Sequence, residues 1–139
     1  MKMKTKRVLV CGSRRWADEQ PIRDALTKLA KEAPICVIEG GARGADEIAR
    51  QWVIYARQHL GLQVEHQLFP ANWTRYGKSA GIVRNKQMLA EGQPDLVLAF
   101  QKDASAGTES MIRLAQEAKV PVVIWHIRNG RASFPPGWR

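Results

Sequence analysis

Cysteine, acidic residues and long apolar segments are all scarce in this chain of 139 residues. Its two cysteines, Cys11 and Cys36, lie in apolar runs, with no CxxC pair or histidine cluster beside them. We therefore expect reduced thiols in buried strands, and neither a metal nor a bound cofactor. No apolar run approaches the roughly 20 residues that a membrane-spanning helix needs, and the run behind the basic N-terminus is too short for a signal peptide. These absences favour a cytoplasmic protein with no membrane partner.

Acidic residues are outnumbered, with 13 Asp and Glu against 22 Lys and Arg, which gives a formal net charge of +9. A basic surface attracts phosphate groups, whether they belong to a nucleic acid or to a small nucleotide. Charge alone does not choose between these two partners. Many of the basic residues also have a simpler explanation as a solvated surface that keeps the protein soluble.

Apolar runs alternate with segments of helical periodicity along the whole chain. Five of these runs predict β-strands, at residues 7–11, 35–39, 62–69, 95–100 and 120–125. Such alternation is typical of an α/β fold, here a single Rossmann-like three-layer αβα domain with a mainly parallel sheet of about five strands. We expect this domain over residues 7–127, with a basic arm at 1–6 and an irregular tail at 128–139. Residues 71–80 lack periodicity and predict a long loop.

A glycine-rich turn follows the second predicted strand and opens the next helix. It reads Gly40-Gly41-Ala42-Arg43-Gly44-Ala45-Asp46. Glycines let the main chain approach a ligand closely, and a helix N-terminus presents unpaired N–H groups with a partial positive charge. The turn therefore predicts an anion site, most often for phosphate. The alternatives are that the glycines only tighten the turn and that Asp46 only complements the helix dipole.

The two common glycine fingerprints are not complete. The dinucleotide pattern GxGxxG fails at both Gly12 and Gly40, and Gly77-Lys78-Ser79 matches only the end of a P-loop. Ligands of parallel sheets bind at the carboxyl ends of the strands. The loops after the first, second and fourth strands would share that edge: they are Gly12-Ser13-Arg14, Gly40 to Asp46, and Ser105-Ala106-Gly107-Thr108.

Five motifs occur in one order along the chain. They are Gly12-Ser13-Arg14, Gly40 to Asp46, Pro70-Ala71-Asn72-Trp73 with Gly77-Lys78, Ala80-Gly81 and Arg84-Asn85 with Met88, and Ala106-Gly107-Thr108. Together, over about residues 7–126, they resemble the SMF/DprA–LOG (SLOG) superfamily of Rossmann-like domains. The resemblance is greatest to its YspA/YpsA-related branch, found in bacteria and their phages.

The resemblance implies a nucleotide-binding pocket whose contacts can be named. One side would be Gly12, Ser13 and Arg14, the floor Gly40, Gly41, Arg43, Gly44 and Asp46, and the other phosphate-facing turn Gly107 with Thr108. Further candidate ligand contacts are Trp73, Lys78, Arg84 and Asn85. Arginine presents a planar fork that suits phosphate oxygens, and an aromatic ring can stack on a base. A tryptophan of a loop, Trp16 or Trp73, is just as often a cover for the core.

The LOG branch of the superfamily cleaves nucleoside 5′-monophosphates with an arginine and with the glutamate of a GGxGTxxE motif. Arg84 supplies the arginine, but the glutamate position is Met111, and Glu109 lies about 200° away around the helix. We therefore predict a nucleotide-binding or sensing domain and assign no catalytic residue. A phosphoribohydrolase is one alternative.

A second alternative is DprA-like binding of single-stranded DNA, which the positive charge would suit. The chain lacks an evident series of aromatic residues along a basic groove, as single-strand binders often have. Pairing of two copies is also expected, through a helix face that carries Ile82, Val83 and Met88.

Overall fold

The computed structural model describes residues 4–138. Six strands form one sheet: β1 (Lys6–Gly12), β2 (Ile35–Glu39), β3 (Val64–Leu68), β4 (Leu96–Lys102), β5 (Val122–Arg128) and β6 (Arg131–Ser133). The helices are α1 (Glu19–Glu32), α2 (Ala45–Tyr55), α3 (Trp73–Tyr76), α4 (Ala80–Gly92) and α5 (Ala106–Glu117). A π-helical turn, Ala56–Leu60, extends α2, and a 3₁₀ turn, Gly77–Ser79, joins α3 to α4.

The strand order is β3-β2-β1-β4-β5-β6, with β1 to β5 parallel and β6 antiparallel to β5. The predicted mainly parallel α/β sheet is confirmed, with six strands where about five were expected. From β1 the chain builds outward to β3, and it then returns to the other side of β1 with β4. Loops leaving β1 and β4 therefore diverge at the centre of the sheet, which is where parallel sheets open a ligand crevice.

Each face of the sheet carries its own apolar core, because successive side chains of a strand point to opposite faces. Val8 and Val10 of β1 belong to the core that α1 and α2 cover. Leu9 and Cys11 belong to the core that contains Met88 of α4 and residues of α5. β1 is thus buried on both faces, which explains its unbroken apolar run.

Both cysteines are buried and unpaired, as the sequence predicts. Burial raises the pKa of the Cys11 thiol and that of the Cys36 thiol. Both side chains are therefore protonated packing residues rather than nucleophiles.

Local signals explain where several elements begin and end. The Asp18 side chain caps α1 by accepting from the Gln20 backbone N–H, and Pro21 fits within the first turn. β3 is a sheet edge, as its alternating pattern predicts. Residues 71–80, expected to be a loop, hold α3 and the 3₁₀ turn, since segments this short carry no recognisable periodicity.

The expectation for the surface of α4 needs one correction. Ile82 is half-exposed, but Met88 is 2% exposed and lies in the core beneath the helix. Ile82, Val83 and Met88 therefore do not form one exposed apolar face. Within residues 4–138, no helix has the length and apolar character required to cross a membrane.

The C-terminal segment differs from the irregular tail expected over residues 128–139. Arg128 completes β5, and β6 pairs with β5 through a tight turn at Asn129 and Gly130. Four aromatic rings then tie the segment to the core in a continuous series, Trp16, Phe100, Trp125 and Trp138, with ring centroids 4.5 to 5.5 Å apart. The glycines and prolines of residues 128–139 predict an irregular segment. The contacts that order this segment are with residues distant in the chain, so the local sequence does not indicate them.

The same aromatic series decides whether Trp16 covers the core or is available to stack on a base. Its ring is 2% exposed and meets Phe100 edge to face. Trp16 therefore covers the core and does not face a ligand.

Replacing Trp138 with alanine should reduce the free energy of unfolding by about 1–2 kcal/mol, since it removes an aromatic contact with Trp125 and the ring beneath the Lys28 ammonium. Urea unfolding followed by far-ultraviolet circular dichroism measures the change. Trp73→Ala is the matched control, because that ring is half-exposed. Equal stability of the wild type and Trp138→Ala would show that the Trp138 ring does not stabilise the fold.

Candidate functional site

A cavity of about 670 Å³ opens at the carboxyl edge of the sheet, between the loop after β1, helix α4 and the start of α5. Ten of the fourteen predicted site residues line it: Gly12, Ser13, Arg14, Asp46, Trp73, Lys78, Arg84, Asn85, Gly107 and Thr108. The other four, Gly40, Gly41, Arg43 and Gly44, lie in the turn behind it. The three loops that the sequence places on one edge therefore do meet there.

The cavity is strongly basic. Six cationic side chains line it, namely Arg14, Arg15, Lys78, Arg84, Lys102 and Arg113, against two carboxylates, Asp46 and Asp103. Sequence reasoning did not place Lys102 and Arg113 at the site, because each lies in an element whose orientation only the fold decides. A concave wall with one dominant sign of charge concentrates anions.

Two hydrogen bonds fix the position of the Arg84 side chain on α4. Its Nη1 donates to the carbonyl oxygen of Gly40 at 2.6 Å, and its Nε donates to Asn85 Oδ1 at 3.0 Å. A Cβ at position 40 would lie 2.3 Å from Arg84 Nη1, so Gly40 makes room for the guanidinium. Burial lowers the pKa of Arg84, an effect that the nearby Asp46 carboxylate opposes. An arginine side chain still keeps its charge in this setting.

The amides of the glycine-rich turn are already hydrogen-bonded within the protein. The N–H groups of Gly40 and Ala42 donate to Asp46 Oδ2 at 3.1 and 3.3 Å, and the N–H of Gly41 donates to Glu39 Oε1 at 2.5 Å. Two carboxylates thus occupy the donors that the sequence suggested for a phosphate. The turn shapes the wall of the cavity through its own internal bonds.

Asp46 lies in an unusual environment for a carboxylate. Its side chain is buried, and burial raises the pKa of Asp46 to about 6, with the neighbouring Glu39 charge adding to the effect. The two backbone amides act in the opposite direction by stabilising the ionised form. The pKa of Asp46 therefore lies well above its ordinary value of 3.8.

Glu39 is a structural centre that the sequence analysis did not single out. It is fully buried at the end of β2, and its Oε1 also accepts from Arg50 Nη1 at 3.0 Å. Its Oε2 lies 2.7 Å from His66 Nε2 on β3. The sequence did contain one indication of this role, because Glu39 is the last residue of an otherwise apolar strand. A carboxylate buried at such a position requires hydrogen-bond or charged partners.

Gly44 allows the turn after β2 to pack against the loop after β1. Its φ is +72°, and a Cβ there would lie 2.2 Å from the carbonyl oxygen of Ser13. That same oxygen accepts from the Ala45 and Trp16 N–H groups. Gly44 therefore serves the close packing of two loops, and Arg43 beside it is exposed on the outside of the turn.

The first turn of α5 forms the opposite wall. Ser105, Ala106, Gly107 and Thr108 line the cavity, and the hydroxyls of Ser105 and Thr108 lie 3.0 Å apart. Asn85 Nδ2 donates to the carbonyl oxygen of Gly107 at 3.4 Å and so connects α4 with α5. A Cβ at Gly107 would meet no heavy atom within 4 Å, so this position is open.

An aromatic side chain stands at the rim. Trp73 is 50% exposed, and the Arg14 guanidinium carbon lies 5.7 Å from its ring centroid. Ile82 of α4 lines the same cavity and is equally exposed. The rim therefore presents two apolar side chains, whereas most of the charged side chains that line the cavity are cationic.

No glutamate of α5 lines the cavity. Met111 is fully buried in the core, and Glu109 accepts from Gln101 Nε2 at 3.1 Å outside the cavity. The second lining carboxylate, Asp103, accepts from the Asn129 backbone N–H at 3.0 Å. Within the part of the chain that the structure describes, no three His, Cys, Asp or Glu side chains are grouped so as to hold a metal ion.

Fold and cavity together define a Rossmann-like α/β protein with a basic cavity at the switch point of its sheet. A model of the YspA, cpYpsA-related SLOG family matches residues 6–76. The Gene 61 protein of Mycobacterium phage D29 is 42% identical over 120 residues, which are 85% of this chain and 94% of that protein. The chain therefore belongs to the YspA, cpYpsA-related SLOG family, and the resemblance found in the sequence is confirmed. Membership suggests a nucleotide-related or DNA-binding domain.

A search of solved structures finds the X-ray structure of DNA processing protein A (DprA) from Streptococcus pneumoniae. The sequence identity is 16% and the TM-score is 0.47, with 86% of this chain aligned to 58% of that one. The chain thus spans less than two thirds of the DprA structure.

Asp46→Asn should change the pH dependence of stability. Because the pKa of Asp46 is raised from 3.8 to about 6 in the folded state, the folded protein binds more protons than the unfolded chain between these values. The contribution of this carboxyl to stability is therefore present below about pH 4 and is lost as the pH rises through about 6. Relative to the wild type, Asp46→Asn should gain up to about 3 kcal/mol between these limits.

Chemical unfolding at a series of pH values, with the exposed Asp24→Asn variant as the baseline, measures this difference. Parallel pH profiles for the wild type and Asp46→Asn would contradict the assignment.

Proposed function

We propose that the chain binds a nucleotide, or a nucleotide-derived ribose phosphate, in the cavity at the carboxyl edge of the sheet. The observation that carries the proposal is the excess of six cationic side chains over two carboxylates on a cavity of about 670 Å³. Among the described residues, neither carboxylate forms a salt bridge with a cationic side chain of the cavity, and each accepts a backbone N–H group. A cavity of this size matches those that hold small organic ligands.

The phosphate lies between Arg84 and the start of α5. Protein acceptors engage Nε and Nη1 of Arg84, which leaves Nη2 for a ligand oxygen. The first turn of α5 contributes the positive end of a helix dipole and an open glycine, Gly107. This location supports a phosphate better than the turn at Gly40, whose amides have partners.

The base lies at the rim, against Trp73 and Ile82. An exposed indole already in contact with an arginine gives a stacking surface for any base, without selecting one by hydrogen bonds. The ribose then spans the distance between the rim and the cationic interior, near Ser13 and Asp46.

Binding without cleavage is the version of this function that the side chains favour. Glycosidic hydrolysis needs a carboxylate placed to stabilise an oxocarbenium-like centre or to activate water. The helix that would supply it contributes Met111 to the core and turns Glu109 toward Gln101. The basic cavity can therefore hold a nucleotide, but α5 contributes no carboxylate to it that could catalyse hydrolysis of the glycosidic bond.

Arg84→Gln should weaken the binding of a nucleoside monophosphate by about tenfold or more, because it removes a charge-assisted bond to phosphate. Lys86→Gln is a matched control: it removes the same charge from the same helix, at an exposed position that does not line the cavity. Isothermal calorimetry against AMP, ADP and ADP-ribose gives the affinities. A folded wild type that binds none of them, or equal losses in the two variants, would contradict the proposal.

The same titrations distinguish the proposal from single-strand binding. Tight, salt-dependent binding of an oligonucleotide without any binding of mononucleotides would favour a DNA-binding domain instead.

Gly107→Asp should abolish binding while leaving the fold intact. The position has open space, and an acidic residue in the first turn of a helix is favourable, so stability should stay within about 0.5 kcal/mol of the wild type. The new carboxylate would repel a phosphate at that wall. Gly107→Ala is the control for side-chain volume, and thermal unfolding verifies that both variants fold. Undiminished binding by Gly107→Asp would place the ligand elsewhere.

A further inference from the structure

The ribbon formed by β5 and β6 carries a second basic cavity, of about 660 Å³, at the far edge of the sheet from β3. Its lining residues are His126, Arg128, Asn129, Arg131, Ala132 and Ser133. None of them is acidic. This surface takes no part in the nucleotide site proposed above.

Strand geometry places the polar side chains of the ribbon on one face. Trp125 lies in the core covered by α1 and α2, and Ile127 packs against it. Side chains alternate along a strand, so His126 and Arg128 point to the opposite face. The antiparallel register sets His126 opposite Ser133 and Arg128 opposite Arg131.

The pairing of Arg128 with Arg131 is unfavourable by itself. Like charges directly opposite each other in an antiparallel pair destabilise the sheet. Among the residues described, neither arginine forms a salt bridge with a carboxylate. Two arginines that lie opposite each other, line one cavity and have no carboxylate partner offer an anion two charge-assisted contacts.

His126 adds a polar atom that lacks a partner. Its Nδ1 is shielded from solvent and has no hydrogen-bond partner within the described chain. Partial burial and the adjacent Arg128 charge lower the pKa of His126, so the ring is predominantly neutral at pH 7. A buried ring nitrogen without a partner is uncommon in folded proteins. The His126 side chain nevertheless lines the cavity, beside Arg128 and Arg131.

We infer that the β5–β6 ribbon is a second phosphate-binding site, in which Arg128 and Arg131 hold the phosphate oxygens and His126 with Ser133 completes the contact. The phosphate belongs to a free phosphate compound or to a nucleic acid strand, since both present the same oxygens. The site is separate from the first cavity, because Asp103 lies between them and is bonded to Asn129.

Nuclear magnetic resonance tests the site directly. Inorganic phosphate is titrated into the full chain at constant ionic strength, with chloride as the reference anion. Saturable shifts are expected at the His126 ring and at the amides of residues 126–133, with a rise in the His126 pKa. Arg128→Gln/Arg131→Gln should weaken this response by about tenfold or more.

Two matched variants make the result specific. Lys31→Gln removes one exposed charge of α1 and should leave the phosphate response of residues 126–133 unchanged. Arg84→Gln should also leave that response unchanged, although it weakens nucleotide binding in the first cavity. An absence of saturable shifts in phosphate beyond those in chloride, or an equal loss in Lys31→Gln, would overturn the inference.

A parallel titration with a short oligothymidylate identifies the source of the phosphate. Saturation of the ribbon at lower concentration with the oligonucleotide than with inorganic phosphate assigns the site to a nucleic acid strand, and the reverse order assigns it to a free phosphate compound.

Stability gives an independent measurement. Removing one of two facing charges should raise the melting temperature of Arg131→Gln above that of the wild type at low salt, and added phosphate should narrow this difference by stabilising the wild type more. A phosphate effect of equal size on both proteins would contradict the site.

Discussion

Two buried carboxylates, Glu39 and Asp46, hold together the centre of this molecule. Between them they accept the three consecutive amides of the turn after β2, and the carbonyl oxygen of Gly40 in the same turn accepts from Arg84. Arg84 and Asn85 then connect that turn, through α4, to the first turn of α5. The turn after β2 and two walls of the cavity, α4 and the start of α5, are therefore joined by one series of hydrogen bonds that includes two buried carboxylates.

This arrangement explains how a cavity can contain carboxylates and still favour anions. Asp46 and Asp103 accept backbone N–H groups, form no salt bridge among the described residues, and are outnumbered by the six cationic side chains that line the cavity. The β5–β6 ribbon extends the same electrostatic character to the far edge of the sheet, where Arg128 and Arg131 face each other. A net charge that looks diffuse in the sequence is in part organised into two concave surfaces.

Much of the fold follows from patterns a few residues long. Apolar runs bounded by glycine or proline predict five of the six strands, and the alternation in residues 62–69 predicts the edge position of β3. The misses share one cause. β6, the burial of Met88 and the role of Glu39 all depend on partners distant in the chain, such as the Trp125 ring that orders Trp138. Local sequence carries no record of those partners.

The sequence by itself determined the α/β class, the shared edge of three loops and the family, because periodicity and short motifs are local properties. Only the tertiary structure decided which donors remain for a ligand. The amides of residues 40–42 look free in the sequence, yet Glu39 and Asp46 occupy them, and Arg84 reaches Gly40 across 44 positions of chain. Hydrogen bonds depend on distance in space, so only the folded structure shows that the amides of the glycine-rich turn already have partners.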